Sequence, residues 1–293
     1  MIIEFLDDYK RYIKNDKKLK KNSIEAYIRD VESFNEYVHT IDLEKINEIN
    51  NTHIIRYLLN LQREGKSTST ISRHLASIRC LFEYLLNHSK IKVDPTLNLR
   101  PPRKEKKSPL ILTEEEINKL LTLPNEDTQK GVRDKALLEV LYASGLRVSE
   151  INSLNIEDID LKKGTIKLVQ EDQFREVPMG KIARESVKNY LLKYRSDSLV
   201  NEPLFINYTG ERLTRQGLWK IIKGYAKEIS QKKSITPQVL RNSFAVHLLR
   251  NGADIKTVQE ILGHSDVAST QVYTFLAEDT NLREVYNKAH PRA

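Results

Sequence analysis

Cysteine is nearly absent: Cys80 is the only one in 293 residues. No internal disulfide can form, and a cysteine-built metal centre is excluded by count. Cys80 sits inside an apolar helical pattern, where a lone thiol packs as a small hydrophobe. No apolar run approaches the ~20 residues that span a bilayer. The opening Met1-Ile2-Ile3-Glu4-Phe5 lacks the basic-then-apolar order of a secretory signal, so a cytoplasmic protein without membrane contact is expected. No glycine-rich loop ends in Lys-Ser/Thr to cradle a nucleotide phosphate, and no carboxylate cluster resembles a two-metal nuclease. Neither a cofactor nor a metal is therefore expected.

What is present is globular. Hydrophobic residues make up 39% and charged residues 30% of the chain, which is the balance of a protein with a packed core. The length fits one large domain or two modest ones. Lysine and arginine total 48 against 40 acids, a net charge of +8. That excess favours a polyanionic partner such as nucleic acid without selecting one.

The first hundred residues read as four short-looped amphipathic helices. Ile2, Phe5, Leu6, Tyr9 and Ile13 recur at helical spacing. A second helix is expected after Asn22, a cap with Glu25 three residues on, and carries Ile24, Tyr27, Ile28, Val31, Phe34 and Val38. A third covers about Thr52 to Arg63, and a fourth opens at Ser67-Thr68-Ser69-Thr70. Between Arg100 and Pro109, prolines flank a basic run. This stretch reads as a linker, either a solvated tether or a basic strap along phosphates. The expected organisation is a helical domain over 1–99, a linker over 100–110 and a second domain over 111–293. The second domain should open with a capped helix after Thr113, place short strands at Ile156–Asp158, Thr165–Val169 and Arg175–Pro178, and return to helix from about Ala183. The fold class is mostly α with a small β-sheet.

Four segments carry chemistry: Tyr142-Ala143-Ser144-Gly145-Leu146-Arg147, Thr236-Pro237-Gln238-Val239-Leu240-Arg241-Asn242, Leu262-Gly263-His264-Ser265 and Thr270-Gln271-Val272-Tyr273. Their order, with His264 and Tyr273 nine residues apart, resembles the signature of the tyrosine recombinase (integrase) family, particularly its Xer-type resolvases. The closing stretch from Leu282 to Ala293 is also similar to the Xer-type tail. The resemblance covers nearly the whole chain. It implies a SAM-like helical core-binding domain followed by a catalytic domain, and a 3′-phosphotyrosyl intermediate formed by Tyr273. The residue chemistry is coherent with that. A phenol near pKa ~10 is a poor nucleophile unless its anion is stabilised. Two guanidiniums, Arg147 and Arg241, can clamp the non-bridging oxygens of a phosphodiester bidentately. His264 can hydrogen-bond the same phosphate or move a proton. Glu150, one helical turn after Arg147, either holds that arginine or is a surface charge. His247 is expected to be structural.

Two expected catalytic positions, and one residue beside them, depart from the family pattern. Gln238 stands where the family has histidine, three residues before the second arginine, and glutamine neither donates nor takes a proton near neutrality. Asn242 stands where a further histidine is common. In the expected β-hairpin, Gln170 or Glu171 falls at the place of a lysine that protonates the leaving 5′ oxygen in the family. Arg175, nearby, can substitute as a charge but gives up protons poorly. Loss of such a general acid costs about 10²–10⁴-fold in its step.

The resemblance further implies a C-shaped clamp on double-stranded DNA at a pseudo-palindromic site. It implies a homo- or hetero-tetramer with C-terminal helix exchange, and a related recombinase or a DNA translocase as partner. Candidate DNA contacts are Ser67, Thr68, Arg73 and Arg79, with Lys181, Arg184, Arg212, Arg215 and Lys220 as further phosphate ligands. Rival readings are a DNA-binding module without catalysis and a type IB topoisomerase-like relaxase.

Overall fold

A computed structural model describes every residue except Met1, Asp42, Glu44, 103–107, Glu171, Asp172, Asp197, Gln231, Lys232, 264–267 and 278–293. The chain divides into two units, Met1–Lys107 and Ser108–Ala293.

The first unit is helical. A 3₁₀ turn at Ile2–Phe5 leads into α1 (Leu6–Asn15), followed by α2 (Lys21–His39), α3 (Asn51–Arg63) and α4 (Thr68–Asn87). Their apolar stripes close one core around Tyr9, Ile13, Phe34, Ile54, Tyr57, Ile78 and Phe82. Phe34 meets Tyr57 edge-on with ring centroids 5.1 Å apart. Ser67 caps α4 by accepting from the Thr70 amide at 3.2 Å, and Asn50 caps α3 through the His53 amide. The start of α2 differs from expectation. Asn22 lies inside the helix, because the amides of Ser23 and Ile24 close directly on the Lys20 carbonyl, so the first turn forms without a side-chain cap.

The second unit begins with α5 (Glu114–Thr122), whose capping box pairs Thr113 with Glu116 in both directions. The helix α6 (Gln129–Ser144) ends on Gly145 at φ 58°, a left-handed conformation natural to glycine. There Cβ would also collide with the Phe244 ring. The short α7 (Val148–Ser153) precedes a three-stranded antiparallel sheet of β1 (Ile159–Asp160), β2 (Thr165–Gln170) and β3 (Gln173–Pro178), in that order. The strand expected at Ile156–Asp158 is a 3₁₀ turn instead. The Asp158 carboxylate accepts from the Asn155 amide at 2.7 Å, which closes the chain locally and moves the strand to Ile159–Asp160.

Helices α8 (Lys181–Tyr194), α9 (Arg215–Ile229), α10 (Pro237–Arg250), α11 (Ile255–Leu262) and α12 (Ala268–Ala277) complete the described chain. α10 is buried along every residue from Val239 to His247, the mark of a helix at the centre of a unit rather than on its surface. His247 on α10 shares hydrogen bonds with the Leu112 carbonyl and the Tyr142 hydroxyl, as expected of a structural histidine. Among the described residues, no helix is long and apolar enough to cross a membrane.

Candidate active site

Glu150 is the centre of the arrangement. It is fully buried, and its carboxylate accepts from the backbone N–H of Arg147 at 2.7 Å and from Arg147 Nη1 at 2.8 Å. The left-handed Gly145 turns the chain so that Arg147 becomes the residue before α7, one turn from Glu150. The sequence left two roles open for Glu150, and the structure decides for the holder of Arg147.

Arg241, 3% exposed, lies on the buried face of α10. Its Nη1 donates to the Gly145 carbonyl and its Nη2 to the Leu262 carbonyl, the latter at 2.7 Å. Arg147 Nη2 donates to the next carbonyl, Gly263, at 2.9 Å. Two arginines distant in sequence thus grip adjacent peptides of one turn, and Arg241 Nη1 also stands 4.0 Å from Glu150 Oε2. Burial, with the Arg147 charge next to it, pushes the Arg241 guanidinium down to about 10, which still leaves it cationic at neutral pH.

Tyr273 on α12 is buried at 6% exposure. Its hydroxyl donates to Asn242 Oδ1 at 2.9 Å, one residue past Arg241. Gln238 Nε2 donates to the same oxygen at 2.8 Å. Burial lifts the phenol above its ordinary pKa, while the charges of Arg241 and Arg147 pull it back down. The site therefore holds a neutral phenol beside two cations that favour its anion.

A third guanidinium enters from the sheet. Arg175 on β3 donates from Nη2 to Glu150 Oε2 at 2.9 Å. Sequence reasoning weighed Arg175 only as a substitute charge for the hairpin lysine. The missed signal is strand alternation: Arg175 shares the face of buried Val177 and pairs across the sheet with buried Leu168, and an arginine on a core-facing position requires a partner. Lys167, opposite Glu176, is exposed on the other face. His264 and Glu171 lie outside the described residues, and Gln170 ends β2.

This unit matches the phage integrase family over residues 111–279, and the first unit matches the phage integrase N-terminal SAM-like domain over residues 6–88. The chain belongs to the tyrosine recombinase family. It is 39% identical over 296 residues to the tyrosine recombinase XerD of Listeria innocua, covering 99% of each chain. With XerD of Oceanobacillus iheyensis it shares 41% identity over 295 residues, covering 98% of each. The crystal structure of XerA recombinase aligns over the full length of both chains at 29% identity, TM-score 0.56. At 21% identity, the fold also matches XerH recombinase bound to a palindromic substrate after cleavage, with TM-score 0.76 over 97% of this chain and 84% of that one.

The recombinase's candidate DNA contacts are unequal. Ser67 and Thr68 are exposed at the start of α4, and Lys181 and Arg215 are exposed at the first positions of α8 and α9. Arg73 is drawn to Asp30 at 2.6 Å, and Arg79 donates to the Leu99 carbonyl. Arg212 is tied to the carbonyls of Asn152 and Leu154 at 2.9 and 2.8 Å. These last three guanidiniums hold their own units together, because a half-buried arginine satisfies its donors before it meets solvent.

Proposed function

We propose that this tyrosine recombinase cleaves DNA through Tyr273, with Arg147 and Arg241 clamping the scissile phosphate. The observation that supports this most is the convergence of both arginines on adjacent carbonyls, Leu262 and Gly263, while both charges act on the Tyr273 hydroxyl. Attack by the phenolic oxygen forms the phosphotyrosyl bond and breaks the phosphorus–5′ oxygen bond. The tyrosine proton must leave, and the departing oxygen must gain one. The two arginines stabilise the charge that gathers on the non-bridging oxygens. Because the covalent bond conserves the energy of the phosphodiester, rejoining reverses these steps without a cofactor. His264 is the further candidate on this phosphate.

A DNA duplex with a nick near the scissile phosphate tests the reading. The wild-type chain accumulates a covalent adduct and Tyr273→Phe forms none while still binding the duplex. Absence of adduct from the wild type under every condition rejects it.

Cleavage is expected to be slow, because Gln238 and the hairpin lack the histidine and lysine that move protons. Gln238→His raises the adduct rate. An unchanged rate assigns the proton to another group. The second reading, a weakened paralogue that supports an active partner, is favoured by the Gln238–Asn242 amide pair, which holds the Tyr273 hydroxyl with groups that do not titrate near neutrality. In either reading the chain acts on a pseudo-palindromic site within a homo- or hetero-tetramer, and the stretch after residue 277 docks on a neighbouring protomer. A related recombinase or a DNA translocase is the proposed partner. Ser67, Thr68, Lys181 and Arg215 are the proposed DNA contacts.

A further inference from the structure

Three guanidiniums surround the single carboxylate of Glu150: Arg147 at 2.8 Å, Arg175 at 2.9 Å and Arg241 at 4.0 Å. One of them, Arg175, comes from the sheet and belongs to none of the four signature segments. Its place is closely built. Gly263 stands against it at φ 60°, and a Cβ added there would collide with the Arg175 guanidinium. Arg147 holds the carbonyl of that same glycine at 2.9 Å, and Arg241 holds the preceding one. Arg175 Nε is buried without a hydrogen-bond partner among the described residues. Its side chain therefore accepts a desolvation cost that its Nη2–Glu150 bond must offset.

We propose that Arg175 is a positioning residue for strand cleavage: by neutralising Glu150 it leaves the charges of Arg147 and Arg241 for the scissile phosphate. The proposal rests on the recombinase reading above. Charge counting carries it. With Arg175 in place, three cations face one anion and the cluster keeps two positive charges. A phosphodiester brings one negative charge, and its five-coordinate state gathers about two on the non-bridging oxygens. Without Arg175 the cluster keeps one positive charge. The buried carboxylate then turns to its remaining neighbours, Arg147, which it already holds by two hydrogen bonds, and Arg241, which stands just beyond reach. A guanidinium committed to a buried carboxylate is a poorer phosphate ligand than one whose counter-ion is already satisfied.

The experiment uses the full chain, the nicked duplex and two readouts, the rate of covalent adduct formation and the affinity for intact duplex. Arg175→Ala is expected to slow adduct formation about 10²-fold, the loss typical of one transition-state donor, with duplex affinity nearly unchanged. Arg175→Lys, which keeps the charge, recovers most of the rate. Adding Glu150→Gln to Arg175→Ala also recovers most of it, because the charge that Arg175 balanced is gone. A residue that merely anchors the sheet gives neither rescue. A wild-type rate in Arg175→Ala, or a double variant no faster than the single one, overturns the proposal. If Arg175→Ala fails to fold by circular dichroism, the Arg175→Gln chain takes its place under the same criteria, with Arg175→Lys expected to cleave faster than Arg175→Gln. Absence of adduct from the wild type defeats the recombinase reading itself, which is a different result from a failure at Arg175.

Discussion

Each unit buries a carboxylate among cations, and the two clusters differ in their arithmetic. In the first unit Asp30 meets Arg73 at 2.6 Å and His74 at 3.2 Å, and accepts from the Ser77 hydroxyl. His74 shares its other ring nitrogen with the Tyr57 hydroxyl, which donates to Ser33. One carboxylate answers one permanent cation there, and burial pushes His74 below its ordinary pKa, toward the neutral ring. In the second unit Glu150 answers three permanent cations. A balanced buried cluster holds helices in register. A cluster with surplus positive charge lowers the energy of a nearby anion. The two clusters therefore differ in net charge, although both set a buried carboxylate among cations.

Arg241→Lys tests the geometry of the surplus rather than its size. It keeps the charge but gives up the forked grip on Gly145 and Leu262. We expect the adduct rate on a nicked duplex to fall about 10²–10³-fold with duplex affinity retained, and a parallel loss of both would erase the distinction between the clusters. Asp30→Ala attacks the balanced cluster. Arg73 is 40% exposed along its side chain and can turn to water, so the cost in urea unfolding is about 1–3 kcal/mol, with cleavage at low temperature unchanged. A cleavage defect beyond that stability loss would give the first cluster a role in the chemistry. Ser67→Ala removes the α4 cap at a cost of about 1 kcal/mol and is expected to weaken duplex binding as well; unchanged affinity confines Ser67 to capping.

The smallest effect is a pH dependence. Burial depresses His74 in the folded chain, whereas the unfolded chain takes up that proton near ~6.5. Its contribution to stability is therefore present above that pH and fades as pH falls below it. Burial lifts the partner Asp30 above its ordinary range, with the opposite sign, so the His74 contribution is read as a difference: hydrogen exchange along α4 should speed up on acidification more in the wild type than in His74→Gln. The local measurement matters because burial also depresses His247 in the second unit, with the same sign.

The fold was largely legible along the chain. The stripes of α2 and α4, the Thr113 cap and the helical spacing of the first hundred residues are local signals; at Thr113 the hydrogen bonds close a full capping box with Glu116. The misplaced strand at Ile156–Asp158 came from reading a β-branched residue without the Asn155–Asp158 side-chain closure. Of the site, the order Arg147, Arg241, Tyr273 was legible as a signature, since spacing survives in one dimension. Arg175 was weighed only as a substitute charge, because strand alternation, which sets it on the face of Val177 and opposite Leu168, was not applied to it.

The sequence by itself determined which residues are apolar, which are capped and which polar types recur in the signature order, and these fix helices, sheet and family through short-range physics. Only the tertiary structure decided which charges share one carboxylate. Arg147, Arg175 and Arg241 meet at Glu150 because a β-strand, a left-handed turn and a buried helix are packed against each other. The strength of an electrostatic interaction depends on separation and burial in space, and neither is written in the spacing of residues along a chain.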